Sequence, residues 1–349
     1  METQGIKYAG SKCKIIPHIL RALSETQGVQ TVLDGFSGST RVAQAFAQSG
    51  FNTTANDVAV WSEVFANCYL KADKNDSFYT EILDHLNALP GCDGWFTEHY
   101  GGLPNDKKKP FQIKNTRKLD AIRDEIDRLK LNFIDKSVLL TALILALDCV
   151  DSTLGHYASY LSEWSARSHK NLKLKLPKRF RLTTENTVLK GDVFDAIRGR
   201  TFDLAYFDPP YGSDNAKMPT SRVRYNAYYH LWATVVLNDK PALFGKANRR
   251  ADSKDSAAPS VFEDCQSAVV LNAIERLISE TAARYVLLSY GAKGRAAKAD
   301  LAERLTAHGK RLKIIEIDHK RNVMAQMTST KEWLNSVEKY KEYLFLLEK

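Results

Sequence analysis

The chain has little of what marks a fibrous, disulfide-stapled or membrane-spanning protein. Its 349 residues hold no internal repeat and no low-complexity tract, and 44% hydrophobic against 26% charged residues is the balance of an ordinary globular protein. The most apolar run, VLLTALILAL from Val138 to Leu147, is far short of the ~20 residues a bilayer requires. Asp135 and Asp148 flank it, so it reads as a buried helix and no membrane association is expected. The N-terminal stretch METQGIKYAGSKCKIIPHIL has neither a long apolar core nor a small-residue cleavage site, so no secretion signal is expected. Five scattered cysteines, Cys13, Cys68, Cys92, Cys149 and Cys265, form no CxxC pair. That excludes a zinc or disulfide framework, and the expectation is no metal and a reducing cytoplasm. Neither GxGxxG nor a GK[ST] loop is present, which removes the usual dinucleotide and P-loop readings. Acids are in the minority, 41 against 50 Lys and Arg for a net charge of +9. Such a surplus fits a polyanionic partner.

What is present alternates. Up to about residue 72 the pattern is helix, strand TVLDGF, tight turn, helix RVAQAFAQSG, strand FNTTANDV and a helix from Trp61 to Leu70, a βαβ signature of parallel strands. Residues 73–185 break the alternation with the helices RKLDAIRDEIDRLK and Lys136 to Cys149, and read as a mostly helical insertion. It ends in a stretch from Arg167 to Arg181 with seven Lys or Arg and no acid. Strand character returns in TFDLAYF before DPPYG. Residues 212–262 are polar and aromatic, and a connection that long predicts a functional loop region. The chain closes with the helix Ser267 to Glu280 and the strands RYVLLSYG, LKIIEID and EYLFLLEK. The expected architecture is α/β, a Rossmann-like doubly wound mixed sheet built from residues 1–72 and 186–349, interrupted by the inserted domain.

Two segments carry chemistry. In DGFSGST, Asp34 ends a strand and small residues turn into a helix, so a ligand can approach the backbone closely. Asp57 ends the next strand 23 residues after Asp34, a spacing that suits an acid on a ribose diol; it equally suits an N-cap. In DPPY, Asp208 to Tyr211, proline fixes its own φ and extends the residue before it. The result is a stiff corner at the carboxyl end of a buried strand, where open α/β sheets bind ligands. Pro209 has a carbonyl and no N–H, so with Asp208 the corner presents acceptors alone, matched to an –NH₂ donor pair. Pro210 completes the stiff turn. Tyr211 adds an aromatic face for a planar base.

These motifs, in this order, resemble the D12-class DNA adenine-N6 methyltransferases over nearly the whole chain. KYAGSK (Lys7 to Lys12) is similar to that family's N-terminal cofactor motif, and GDVF lies before DPPY, with Asp192 sixteen residues ahead of Asp208. The resemblance implies S-adenosyl-L-methionine as cofactor, held by Tyr8, Lys12, Asp34, Phe36, Ser37, Gly38, Asp57, Asp192, Val193 and Asp208. It implies Tyr8 near the sulfonium and Lys12 on the methionine carboxylate. Asp192 lies by the adenine or caps the next helix. Ser39 stands where the family's DxFxGxG loop usually has its last glycine, a departure expected to change the loop modestly.

The implied reaction moves a methyl group to the N6 of an adenine flipped out of double-stranded DNA. Asp208, Pro209, Pro210 and Tyr211 form the catalytic corner, and a cognate restriction endonuclease acts separately. No cysteine follows a proline, which excludes cytosine C5 chemistry. Cytosine-N4 methylation, RNA adenine methylation and a non-catalytic DNA-binding role are the competing readings. The expected phosphate contacts are Lys107, Lys108, Arg167, Lys170, Lys173, Lys175, Arg179, Arg222 and Arg224; their competitor is a solvated basic face.

Overall fold

A computed structural model describes residues 1–212, 224–254, 260–292, 294–319 and 340–349. Short strands with hydrophobic runs alternate with amphipathic helices, and the result is one mixed sheet. Its strands are β1 (Thr31–Asp34), β2 (Asn52–Asp57), β3 (Thr187–Lys190), β4 (Thr201–Phe207), β5 (Ala282–Gly291), β6 (Arg311–His319) and β7 (Tyr340–Glu348). The spatial order is β6-β7-β5-β4-β1-β2-β3. All pairings are parallel except those of β7, which is antiparallel to both β5 and β6. The strand order reverses between β1 and β4, so the crevice at their carboxyl ends is the topological switch point. β3 is a half-exposed edge strand that the sequence pattern did not reveal.

Helices cover both faces. On one, α1 (Ile16–Ser24) and α2 (Arg41–Gln48) set Ile16, Ile19, Val42 and Phe46 against Val32, Leu204, Leu287 and Leu344. On the other, α8 (Val193–Ile197), α11 (Ser267–Glu280) and α12 (Lys298–Thr306) pack Val193, Ile274, Leu277 and Leu301 on Leu33, Ala205 and Leu288. Burying large aliphatic side chains contributes about 1.5–3 kcal/mol apiece, which makes these two layers the main support of the site edge.

A third core lies beside the sheet. α3 (Val60–Ala66), α4 (Asp76–Ala88), α5 (Trp95–Tyr100), α6 (Ile113–Arg128) and α7 (Phe133–Asp148) surround it. α7 is apolar on every side and buries Val138, Leu139, Leu143, Ile144 and Leu147, as a helix hydrophobic all round must. Among the described residues no helix is long and apolar enough to cross a membrane.

The expectation of a loop over residues 212–262 is corrected here for its central part. Residues 225–237 form α9 (Tyr225–Tyr228) and α10 (His230–Leu237), and Leu231, Trp232 and Val235 are fully buried in the third core. The apolar run LWATVV outweighs the polar residues around it. Arg123, itself buried, donates to Val235 O (2.6 Å) and Val236 O (2.9 Å), satisfying carbonyls at the end of α10 that have no intrahelical partner.

Truncation of α7 tests this packing. Leu143→Ala leaves a cavity in a fully buried position and is expected to lower unfolding stability by about 2–5 kcal/mol, measured as a denaturant midpoint shift with an unchanged slope.

Candidate active site

Three strands deliver acids to one edge. Asp34 closes β1, Asp57 closes β2 and Asp208 follows β4. The turn after β1 is held by backbone bonds to its neighbours, Gly35 N to Tyr206 O (3.0 Å) and Ser37 N to Asn56 O (2.9 Å). Asp57 ties this turn to its own strand end. Its Oδ2 accepts from Gly38 N (2.7 Å) and its Oδ1 from Ala59 N (2.8 Å). Asp57 is not the N-cap of α3, which is Ala59 and has no side-chain cap; its carboxylate instead braces the two turns, and with four lone pairs it keeps capacity for a further donor. Asn56, which sequence reasoning passed over, donates to Gly35 O and Gly191 O (3.2 Å each) and joins the turn after β1 to the turn after β3.

The glycine question resolves one residue later than expected. Gly38 has φ +47°, and a Cβ there would lie 3.0 Å from Tyr8 Oη. The other left-handed residue of the loop is Thr40, at φ +60°. Counted from Asp34, the seventh position of DxFxGxG is Thr40, so the departure from glycine belongs to Thr40 and not to Ser39. A β-branched residue in this region is strained. Gln44 Nε2 donates to Thr40 Oγ1 (3.0 Å), which helps to hold it there.

The corner is the centre of a buried charge network. Lys12, 7% exposed, places Nζ 2.8 Å from Asp208 Oδ1 and 3.3 Å from Glu342 Oε1, and 4.7 Å above the Tyr211 ring. Tyr211 Oη donates to Asp208 Oδ1 (2.5 Å) and also contacts Glu342 Oε1. Ser289 Oγ donates to Glu342 Oε1 at 2.8 Å. Lys12 is engaged by two protein carboxylates, Asp208 and Glu342. Tyr211 is held by its hydroxyl, and its half-buried ring lies against Lys12 and Tyr290 (centroids 4.6 Å apart).

Burial dominates the proton affinities. It lifts the Asp208 carboxyl to about 6, with Lys12 pulling down and Glu342 pushing up. It works against the Lys12 ammonium too, but Asp208 and Glu342 outweigh it and raise that pKa above the lysine norm. Asp34 is pushed up to about 8 by burial and then by the charge of Asp208. Among the described residues, neither Asp34 carboxyl oxygen makes a well-formed hydrogen bond, although Ser37 and the Ala43 backbone lie close enough to pull its pKa down, and the buried Tyr206 hydroxyl has Ser289 nearby without a well-formed bond. Unsatisfied buried polar groups of this kind cost stability and mark sites built for something else.

The remaining candidates fall around this centre. Tyr8 stacks on Tyr229 (4.9 Å) and sits 5.7 Å from Trp61. Phe36 packs edge-on against Phe207 and Phe262. Val193 is buried against Gly35, and exposed Asp192 accepts from Phe194 N (2.8 Å), capping α8. The basic candidates are spread along the insertion. Lys107, Lys108, Lys170, Lys173 and Lys175 are exposed, with Leu172 and Leu174 turned inward between the lysines. Arg167 is bound to the buried Asp151 (2.7 Å), and Arg179 pairs with Asp76 above the Tyr79 ring. Both are thereby committed to intramolecular partners. Arg224 is half-buried ahead of α9, and Arg222 lies outside the described residues.

A mostly parallel seven-stranded sheet of this order, with its acids and its proline corner at the switch point, defines a class I methyltransferase fold. The chain matches the D12 class N6 adenine-specific DNA methyltransferase signature over residues 8–262. It is 26% identical to the type II methyltransferase M.NlaIII of Neisseria lactamica over 99% of both chains. It is 26% identical to M.CviAII of Paramecium bursaria Chlorella virus 1 over 98% of both. With M.FokI of Planomicrobium okeanokoites the identity is 25%, over 87% of this chain and 47% of that longer protein. The chain belongs to the D12 class of N6 adenine-specific DNA methyltransferases. Its substrate is DNA and its reaction requires a methyl donor.

The buried Asp34 carries a stability consequence. Its folded pKa of about 8 lies above the ordinary ~3.9 of an unfolded chain. The folded state therefore binds more protons between those values, and stability falls as pH rises through that window. Asp34→Asn is expected to melt higher than the parent at about pH 8.5, with the difference closing toward pH 4. Thermal melts across that range measure it.

Proposed function

We propose that the chain methylates the N6 amino group of an adenine flipped out of a specific double-stranded DNA site, using S-adenosyl-L-methionine. It would serve as the modification half of a restriction-modification pair. The relatives' names, type II methyltransferases and modification methylases, support that pairing. A separate endonuclease of the same specificity is the implied partner, and residues 73–185 the implied target-recognition domain.

The observation that carries this reading is the corner. Lys12 and Tyr211 both engage Oδ1 of Asp208, leaving Oδ2, with the Pro209 carbonyl, for an incoming amine. The residues around it fit the cofactor. A buried carboxyl without a well-formed hydrogen bond, Asp34, suits an ammonium; Tyr8 offers an aromatic face; Ser37, Gly38 and Phe36 form the turn; Asp57, Asp192 and Val193 line the far side. When bound, S-adenosylmethionine supplies an electrophilic methyl group on a sulfonium.

The amine is the difficult reactant, because its lone pair is delocalised into the purine ring. Hydrogen bonds from N6 to Asp208 and the Pro209 carbonyl localise that pair and offset positive charge developing on nitrogen. Alignment by the stiff Pro209-Pro210 turn supplies the geometry. Lys12 favours the ionised form of Asp208, which alone accepts at both oxygens. Extruding the base costs a few kcal/mol. The exposed lysines 107, 108, 170, 173 and 175 bind phosphates, which contributes affinity without sequence preference.

Asp208→Ala is expected to lower the methylation rate by at least roughly 10²–10³-fold with duplex binding retained. Transfer of labelled methyl to mixed-sequence duplex, with N6-methyladenine identified in the digest, measures it; unchanged activity would refute the corner assignment. Lys173→Ala with Lys175→Ala should reduce the salt slope of DNA affinity by roughly 1–2, read by anisotropy, with the saturated turnover rate unchanged.

A further inference from the structure

Glu342 lies outside residues 8–262, the part that matches the family, yet it is the most connected acid of the site. It is 3% exposed, and its Oε1 receives Ser289 Oγ at 2.8 Å, Lys12 Nζ at 3.3 Å and the hydroxyl of Tyr211. Lys12 and Tyr211 are the same two groups that engage Oδ1 of Asp208. Every side chain that orients Asp208 is thus anchored a second time on Glu342.

We propose that Glu342 is a positioning residue of the methyl transfer: it holds Lys12 and Tyr211 on one oxygen of Asp208 so that the other faces the target amine. This rests on the corner reading given above.

The arrangement has a clear physical logic. A lysine ammonium between two carboxylates would neutralise Asp208 fully if Asp208 were its only partner, and a neutralised acceptor stabilises less positive charge on the amine. Sharing Lys12 with Glu342 leaves the cluster net negative where charge develops. The same sharing fixes the phenol, since Tyr211 Oη lies between both acids. Burial first, and then Glu342, raise the proton affinity of Asp208. The other groups facing the pair are Tyr206 from β4, Asp34 from β1, Ser289 from β5 and Tyr8 from the N-terminal segment. None of these supplies a second cation.

The test is the pH profile of the saturated turnover rate in the full chain on duplex DNA, for the parent, Glu342→Gln, Ser289→Ala and Asp208→Ala. Loss of the Glu342 charge should move the acid limb of Glu342→Gln to lower pH by roughly one unit. Its plateau rate should fall several-fold, while DNA affinity and donor KM stay within about twofold. Ser289→Ala keeps the charge and loosens the grip, so its plateau should fall and its limb stay in place. An unmoved limb in Glu342→Gln with an inactive Asp208→Ala overturns the role of Glu342 alone. An active Asp208→Ala overturns the corner reading beneath it. If Glu342→Gln fails to bind DNA, Ser289→Ala decides, and a parental plateau there overturns the proposal.

Discussion

A buried ammonium shared by two carboxylates governs this active site. Taking Lys12, Asp208 and Glu342 out of water is costly, and their mutual attraction repays that cost only where geometry and further hydrogen bonds are good. Tyr211 and Ser289 provide those bonds. The cluster is therefore poor evidence for stability and good evidence for positional control. Asp34, on the adjacent strand β1, makes the same point from the other side, since a carboxyl buried without a well-formed hydrogen bond persists only because the surrounding fold over-determines it.

The fold achieves this by bringing both chain ends to one edge. The segment before α1 runs across the carboxyl ends of the strands and carries Tyr8 and Lys12. It is held by Ala9 N donating to Tyr229 Oη (2.7 Å) and by Lys7 Nζ on Asp151 (2.5 Å). Tyr229 belongs to the third core and the buried Asp151 follows α7 beside it, so packing next to the sheet sets where the ammonium sits within it. A cavity in that core would reach the chemistry through the N-terminal segment rather than through any contact with a reacting group.

Much of this was legible in the residues. The strand ends at Asp34, Asp57 and Asp208 stood out because turn chemistry and hydrophobic runs are local signals. The sheet followed from their alternation. What escaped depended on contacts between distant positions. Arg167 and Arg179 looked available beside five lysines, because Asp151 and Asp76 pair with them only in the folded chain. Edge strand β3 has exposed ends, Thr187 and Lys190, around the half-buried Val188 and Leu189, with no alternation to detect. The run from Leu231 to Val236 was apolar enough to announce a buried helix, but tyrosines and a histidine before it suggested surface. Glu342 had one local sign, its phase with the inward-facing Leu344 and Leu346. An acid on the core side of a strand implies a partner without naming it.

The direction of β7 explains why the partner comes from the C-terminal strand. In a parallel strand the residue that reaches the ligand edge is the last one, and the chain must then leave the sheet beside the ligand. β7 runs antiparallel between β5 and β6, pairing Glu342 with Gly291, so the ligand edge receives an entering residue instead. Glu342 is therefore fixed by the whole ladder that follows it, from Tyr343 to Glu348 paired against β5. Its backbone is held by sheet pairing on both sides, not by a loop. A rigid strand is the element that can keep a buried acid within hydrogen-bonding distance of Tyr211 at the neighbouring corner.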